Sequence, residues 1–173
     1  MELWKVAIGV VLIVVVGCSS EMGEQTPALP LADEVVQDFS MEESLEGRRQ
    51  WLLTADSAFV FEGKGVTVVY GVKVTFYDEN GNESSWLSGD SGMVWRSEEL
   101  WIGGEVKLLS SDSLVLRTHS LRWDPKKNLV WTEDTVYVEG QGISIVGKGV
   151  EADPSMKELK VLEGIKGAVE REE

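Results

Sequence analysis

The sequence has one cysteine, one histidine and four prolines in 173 residues, and its 16 basic side chains face 30 acidic ones. A single cysteine forms no internal disulfide and no cysteine-rich metal site. The lone histidine, His119, has no Gly-x-Ser-x-Gly elbow to work with, so a serine hydrolase is not expected. A formal net charge of −14 repels phosphate backbones, which sets nucleic acid aside as a partner. The apolar run from Val6 to Val16 is shorter than the about 20 residues that a membrane-spanning helix needs. What the chain does have is 43% hydrophobic residues, seven tryptophans and 18 glycines. That is enough apolar material for one domain, with a turn frequency that points to β structure.

The Val6–Val16 run fits the apolar region of a secretory signal peptide. Val15-Val16-Gly17-Cys18 resembles a bacterial lipobox, and the only cysteine falls where that pattern requires one. Residues 1–17 are therefore expected to be a lipoprotein signal peptide, with Cys18 carrying the lipid that holds the mature chain to a membrane from outside the cytoplasm. Residues 18–47 lack periodicity, contain Pro27 and Pro30, and carry eight acids against two bases when counted to Gln50. This stretch is expected to be a flexible tether of roughly 30 Å reach, held down by lipid rather than by charge.

From Arg48 the dominant period is two. Val66, Val68, Tyr70, Val72, Val74 and Phe76 alternate with Thr67, Lys73, Thr75 and Tyr77, as in a long strand with one buried face, and Asp78-Glu79-Asn80-Gly81-Asn82 closes it with a turn. Short alternating segments continue to Leu162, about a dozen strands in all. Met93-Val94-Trp95, Leu121-Arg122-Trp123 and Val150-Glu151-Ala152 recur at nearly equal intervals, each before a turn and a further strand. The expectation is an all-β fold, an elongated β-jellyroll or β-roll of stacked antiparallel strands over 48–166, with 167–173 a charged tail.

Trp51-Leu52-Leu53-Thr54-Ala55-Asp56-Ser57-Ala58, Val72 to Gly81, Gly103-Gly104-Glu105-Val106, Leu116-Arg117-Thr118, Leu121-Arg122-Trp123-Asp124, Val136 to Gly140 and Gly147 to Asp153 follow one another in an order that resembles the LptC family. The resemblance covers about residues 40 to 165. It implies a periplasmic jellyroll that accepts lipopolysaccharide from an inner-membrane ABC transporter and passes it to a soluble, similarly folded LptA-like bridge protein. It implies neither an enzyme nor a cofactor. Members usually carry a transmembrane helix, which the lipobox replaces here. Ser19 is not the Asp that retains enteric lipoproteins in the inner membrane, so either membrane remains open for the anchor.

Physical chemistry sets the requirement for such a carrier. Exposing one acyl chain of about 12 methylenes to water costs on the order of 10 kcal/mol, so shielding has to be continuous. The lining expected to supply it is Val72, Val74, Phe76, Trp86, Val106, Leu108, Leu116, Trp123, Val136, Val138, Ile143 and Ile145; a dry core is the alternative for each. Trp51 and Leu53 on a first strand from Gln50 to Ala55 are expected to dock the transporter. Leu159 and Val161 on a last strand from Glu158 to Ile165 are expected to pair with the bridge protein, and Gly140 is a further interface candidate or a simple turn glycine. Asp78-x-Asn80-x-Asn82 mimics the start of a calcium loop, but Glu83 stands where that loop needs glycine, so no metal is expected. The rival from another class is a surface-anchored carbohydrate-binding β-sandwich lipoprotein, which requires several tryptophans lying flat on an outer surface.

Overall fold

The computed structural model describes residues 31–169. The expected signal peptide and the expected lipid-bearing Cys18 lie outside the described residues. One antiparallel sheet takes up nearly all of the rest: β1 (Glu34–Leu45), β2 (Arg48–Phe61), β3 (Val66–Tyr77), β4 (Glu83–Trp95), β5 (Leu100–Ser110), β6 (Val115–Asp124), β7 (Leu129–Gly140), β8 (Ile143–Ala152) and β9 (Leu159–Val169). Sheet order equals sequence order. Each strand folds back on its predecessor because the connections are short and rich in residues that tolerate positive φ. Glu46-Gly47 and Gln141-Gly142 each place two consecutive residues there, which suits a tight hairpin. The Asp78 carboxylate accepts the N–H groups of Asn80 (2.9 Å) and Asn82 (2.8 Å) and closes the β3–β4 turn.

The strands do not keep one inside–outside phase from end to end. On β3, Val69 is buried and then Val72, Val74 and Phe76, a step of three residues at Gly71 (φ 65°). The same slip separates Ala55 from Ala58 on β2 and Thr118 from Leu121 on β6. Register shifts at Ser88/Ser91, Gly103/Val106, Arg117/Arg122, Thr132/Thr135 and Val146/Lys148 continue the line across the sheet. A bulge adds a residue to one strand, bends it and increases its twist. The seam is thus a line of phase slips on β1 to β3, where the ladders keep their register through it, and of register shifts from the β4–β5 ladder to the β8–β9 ladder, and the sheet bends along it. Gly71 is glycine because φ is positive and the Asp56 carboxylate occupies the space a Cβ would take; Asp90 covers Gly104 in the same way.

Several sequence expectations need correction. The stretch 34–45 is a strand and not tether: Val36, Phe39 and Met41 pack on the core while acidic neighbours face water. The expected tail loses 167–169 to β9. The dozen short strands are nine longer ones, because the seam interrupts alternation without ending the ladder. Tyr70 does not share the face of Val72, Val74 and Phe76; it is 47% exposed, displaced by the slip at Gly71. The equivalence of Trp95 with Trp123 also fails: Val94, not Trp95, pairs with Leu100, which pairs with Trp123, so Trp95 points outward and Trp123 inward.

Candidate functional site

Two rows of inward side chains run across the sheet, one on each side of the seam. The first passes through register partners Met41, Leu53, Val74, Leu87, Leu108, Leu116, Val138 and Ile145 to Gly167. At 4.7–4.9 Å between strands, such a row across nine strands is about 40 Å long. It reaches from the outer strand β1 to the outer strand β9 with no charged residue in it. The second row holds Val36, Ala58, Val69, Gly92, Ile102 and Leu121, then Thr132, Val150 and Val161.

Of the expected lining, Val72, Val74, Phe76, Val106, Leu108, Leu116, Trp123, Val136 and Val138 are all buried in one cluster. Ile145 packs against it and Ile143 is half-buried on the same face of β8. Trp86 is not part of the lining: Ser85 and Leu87 point inward, so Trp86 points out, where its indole N–H donates to Glu83 Oε2 (2.8 Å). The sequence reading missed the second row, including Ala58, Val69, Ile102, Leu121 and Val150. Its signal, the inward phase of Leu121 and Trp123 on β6, was visible but was not carried across the seam. In this state the walls meet: Leu53, Val74, Leu87, Leu108 and Leu116 are at most 1% exposed.

Space opens at one end of the roll, in a cavity of ≈ 590 Å³ lined by Trp51, Phe76 and Trp123 and rimmed by Glu43, Asp78, Glu79 and Asp153. The Trp123 ring lies edge to face with Trp51 (centroids 5.1 Å) and Phe76 (5.0 Å). Trp51 donates its N–H to Glu43 Oε2 (2.8 Å), whereas the buried Trp123 N–H has no hydrogen-bond partner among the described residues. Hydrogen bonds from the Asn82 backbone first, and then its side chain and Asn80, hold the Asp78 carboxyl below its ordinary range. The Lys127 ammonium (Nζ to Oδ2 2.8 Å) does the same for Asp124 in the β6–β7 turn, with the N–H groups of Lys127 and Lys126 assisting. Both stay ionised at neutral pH.

The partner-interface residues divide. Trp51 and Leu53 are 4% and 1% exposed, and β1 covers the strand that carries them, so the outer strand on that side is β1. Leu159 and Val161 lie on β9, the outer strand at the far side, half-buried against the core. Gly140 (φ 129°) ends β7 where a Cβ would overlap the Ser113 carbonyl oxygen, a steric reason for glycine that needs no partner. On the opposite face of the sheet, Trp86, Trp95, Trp101 and Trp131 are half-buried and point outward.

These features define a class: an open, rolled antiparallel sheet with an aliphatic interior and two outer strands that, among the described residues, are paired on one side only. Among solved structures it is similar to the crystal structure of LptH from Pseudomonas aeruginosa, described as the LptA homologous periplasmic component of the conserved lipopolysaccharide transport device. The TM-score is 0.56 at 15% identity, over 70% of this chain and 95% of that one, a likeness of fold. No curated protein matches the chain. Residues 7–170 match the family model "Lipopolysaccharide-assembly, LptC-related", and the chain belongs to this family. Its general role is thereby in lipopolysaccharide transport.

Proposed function

We propose that the chain is a periplasmic acceptor that takes lipopolysaccharide from an inner-membrane ABC transporter and passes it to an LptA-like bridge protein, with the acyl chains between the two walls of the roll. The observation that carries this reading is the aliphatic row from Met41 to Ile145, which runs from one outer strand to the other. A sheet edge presents unpaired N–H and C=O groups to which another chain can add a strand. Joined at β1 to the transporter and at β9, through the strand that holds Leu159 and Val161, to the bridge protein, the row continues from module to module. Charged saccharide stays wet while the chains remain shielded. On this reading Cys18 carries the lipid anchor. Ser19 leaves the membrane of anchorage open, and function favours the inner one.

The packed interior requires that the walls part to admit cargo. The test is a photo-crosslinking residue at Leu108 or Phe76 in cells. A lipopolysaccharide adduct that forms only while the transporter hydrolyses ATP is the expected result. Absence of an adduct at every position of the row overturns the proposal.

A further inference from the structure

The outer face of the sheet carries a second row whose composition differs from the interior. Met93, Trp101, Arg122, Trp131 and Glu151 are successive register partners on β4 to β8. Trp101 and Trp131 thus flank Arg122, about 10 Å apart across two strand spacings. The Trp101 ring lies over Gly103 two residues along its own strand; a Cβ at Gly103 would overlap it, so the absence of that side chain is what lets the indole lie down on the sheet. A depression of ≈ 410 Å³ opens here between Trp101, Arg122 and Trp131, within the range of about 300–1,000 Å³ of small-ligand sites. Two indoles, Trp101 and Trp131, stand in its lining, and the rest of it is polar: Ser120, Arg122, Thr132, Glu133 and Asp134. Ser120 Oγ donates to Asp134 Oδ2 (2.6 Å), the Asp134 N–H donates to Thr132 Oγ1 (3.1 Å), and Glu133 and Arg122 are exposed. Among the described residues no carboxylate lies within ion-pair distance of Arg122, so its donors are free for a ligand.

We infer that this depression is a saccharide-binding site on the outside of the roll, separate from the interior. A pyranose presents an apolar C–H face and an equatorial belt of hydroxyls that both donate and accept. The C–H face matches a half-exposed indole laid flat, and the hydroxyls match a rim that mixes a guanidinium, a serine and two carboxylates. A second protein chain is a poorer occupant, since the depression is small and its rim charged. A lipid tail is poorer still, for want of an apolar enclosure. The inference goes beyond the carrier role and does not depend on it: cargo chains occupy the interior face, and a sugar here touches only the outer one.

The test uses lipid-free oligosaccharide, released from lipopolysaccharide by mild acid, titrated into the full chain in detergent and followed by calorimetry and tryptophan fluorescence. The probe has no acyl chains, so the interior cannot account for its binding. Expected is saturable binding that weakens by at least about tenfold in Trp131→Ala and in Arg122→Ala, with thermal unfolding of the exposed-site variant Arg122→Ala unchanged. Gly103→Ala, which lifts the Trp101 ring off the sheet without removing it, should weaken binding as well. If Trp131→Ala fails to fold, Arg122→Ala and Gly103→Ala decide. No saturable binding by the wild-type chain, or equal binding by the folded variants, overturns the inference and leaves the interior crosslinking test untouched.

Discussion

The aromatic trio at the end cavity gives a prediction that can be worked through in magnitude. Trp123 is 2% exposed and meets Trp51 and Phe76 edge to face. Truncating a buried tryptophan to alanine costs about 3–5 kcal/mol. Among the described residues its N–H has no partner, however, and an unsatisfied buried donor already costs about 1–3 kcal/mol in the wild type, which alanine relieves. The net for Trp123→Ala is therefore near the low end, about 2–3 kcal/mol, or roughly 10 °C in Tm for a domain of this size. Trp123→Phe keeps a ring in the same place and discards the unpaired N–H, so it should stay within about 1 kcal/mol of wild type. Urea unfolding followed by near-ultraviolet circular dichroism measures both. A phenylalanine variant as unstable as the alanine one would refute the reasoning, because it would mean that a hydrogen bond from the indole, not ring packing, holds the site.

At Gly71, alanine should cost about 1–2 kcal/mol from the positive φ alone, and adding Asp56→Ala should restore only the part due to overlap with that carboxylate; full recovery in the double variant by thermal unfolding would contradict the assignment. The depressed carboxyls of Asp78 and Asp124 contribute stability that is complete above their ordinary value of about 3.9 and lost as pH falls through their lower folded values. Asp124→Asn should accordingly flatten the loss of stability between about pH 5 and pH 2, and an unchanged acid limb would show that the Lys127 contact is not maintained in solution. Gly140→Arg should lower Tm together with any loss of bridge-protein capture, because the new side chain starts against the Ser113 carbonyl; lost capture at an unchanged Tm would instead restore Gly140 as an interface residue.

Strand identity was legible from the period of two because one face of each strand is buried, and the tight turns were legible from Asn, Asp and Gly at hairpin positions. The seam was not. A one-residue slip at Gly71 or at His119-Ser120 reads in sequence as the end of one strand and the start of another, since only the partner strand shows that the ladder continues. β1 was hidden for a related reason. An outer strand buries a single shallow stripe, and the stripe of Val36, Phe39 and Met41 is itself broken at Asp38, whose φ of 51° marks the seam. The inward residues on β3, β5, β6 and β7 were found because each lies within an unbroken alternating stretch. Trp86 was misplaced because tryptophan was expected inside, whereas its neighbours Ser85 and Leu87 set the phase.

The closed interior bears directly on how the proposed carrier would load. Admitting an acyl chain means moving Leu53, Leu108 and Leu116 away from the facing wall, yet the surface they lose to each other they regain against the chain. Apolar burial is exchanged rather than lost, and the gain of about 0.8 kcal/mol per methylene removed from water remains available to the cargo. Backbone hydrogen bonds would resist opening if the sheet closed on itself as a barrel. Sheet order runs from β1 to β9, and the described residues contain no ladder joining the last strand to the first, so the walls can part at that gap without breaking one. From β4 to β9 the seam supplies the hinge, because there the register shifts already interrupt the pairing. Pinning the seam should then slow loading without altering the interior: Gly104→Ala, which sets a Cβ against the Asp90 carboxylate at a positive φ, is expected to reduce the yield of the Leu108 photo-adduct while the folded chain keeps its strand content by circular dichroism. An undiminished adduct in that variant would place the moving part elsewhere than the seam.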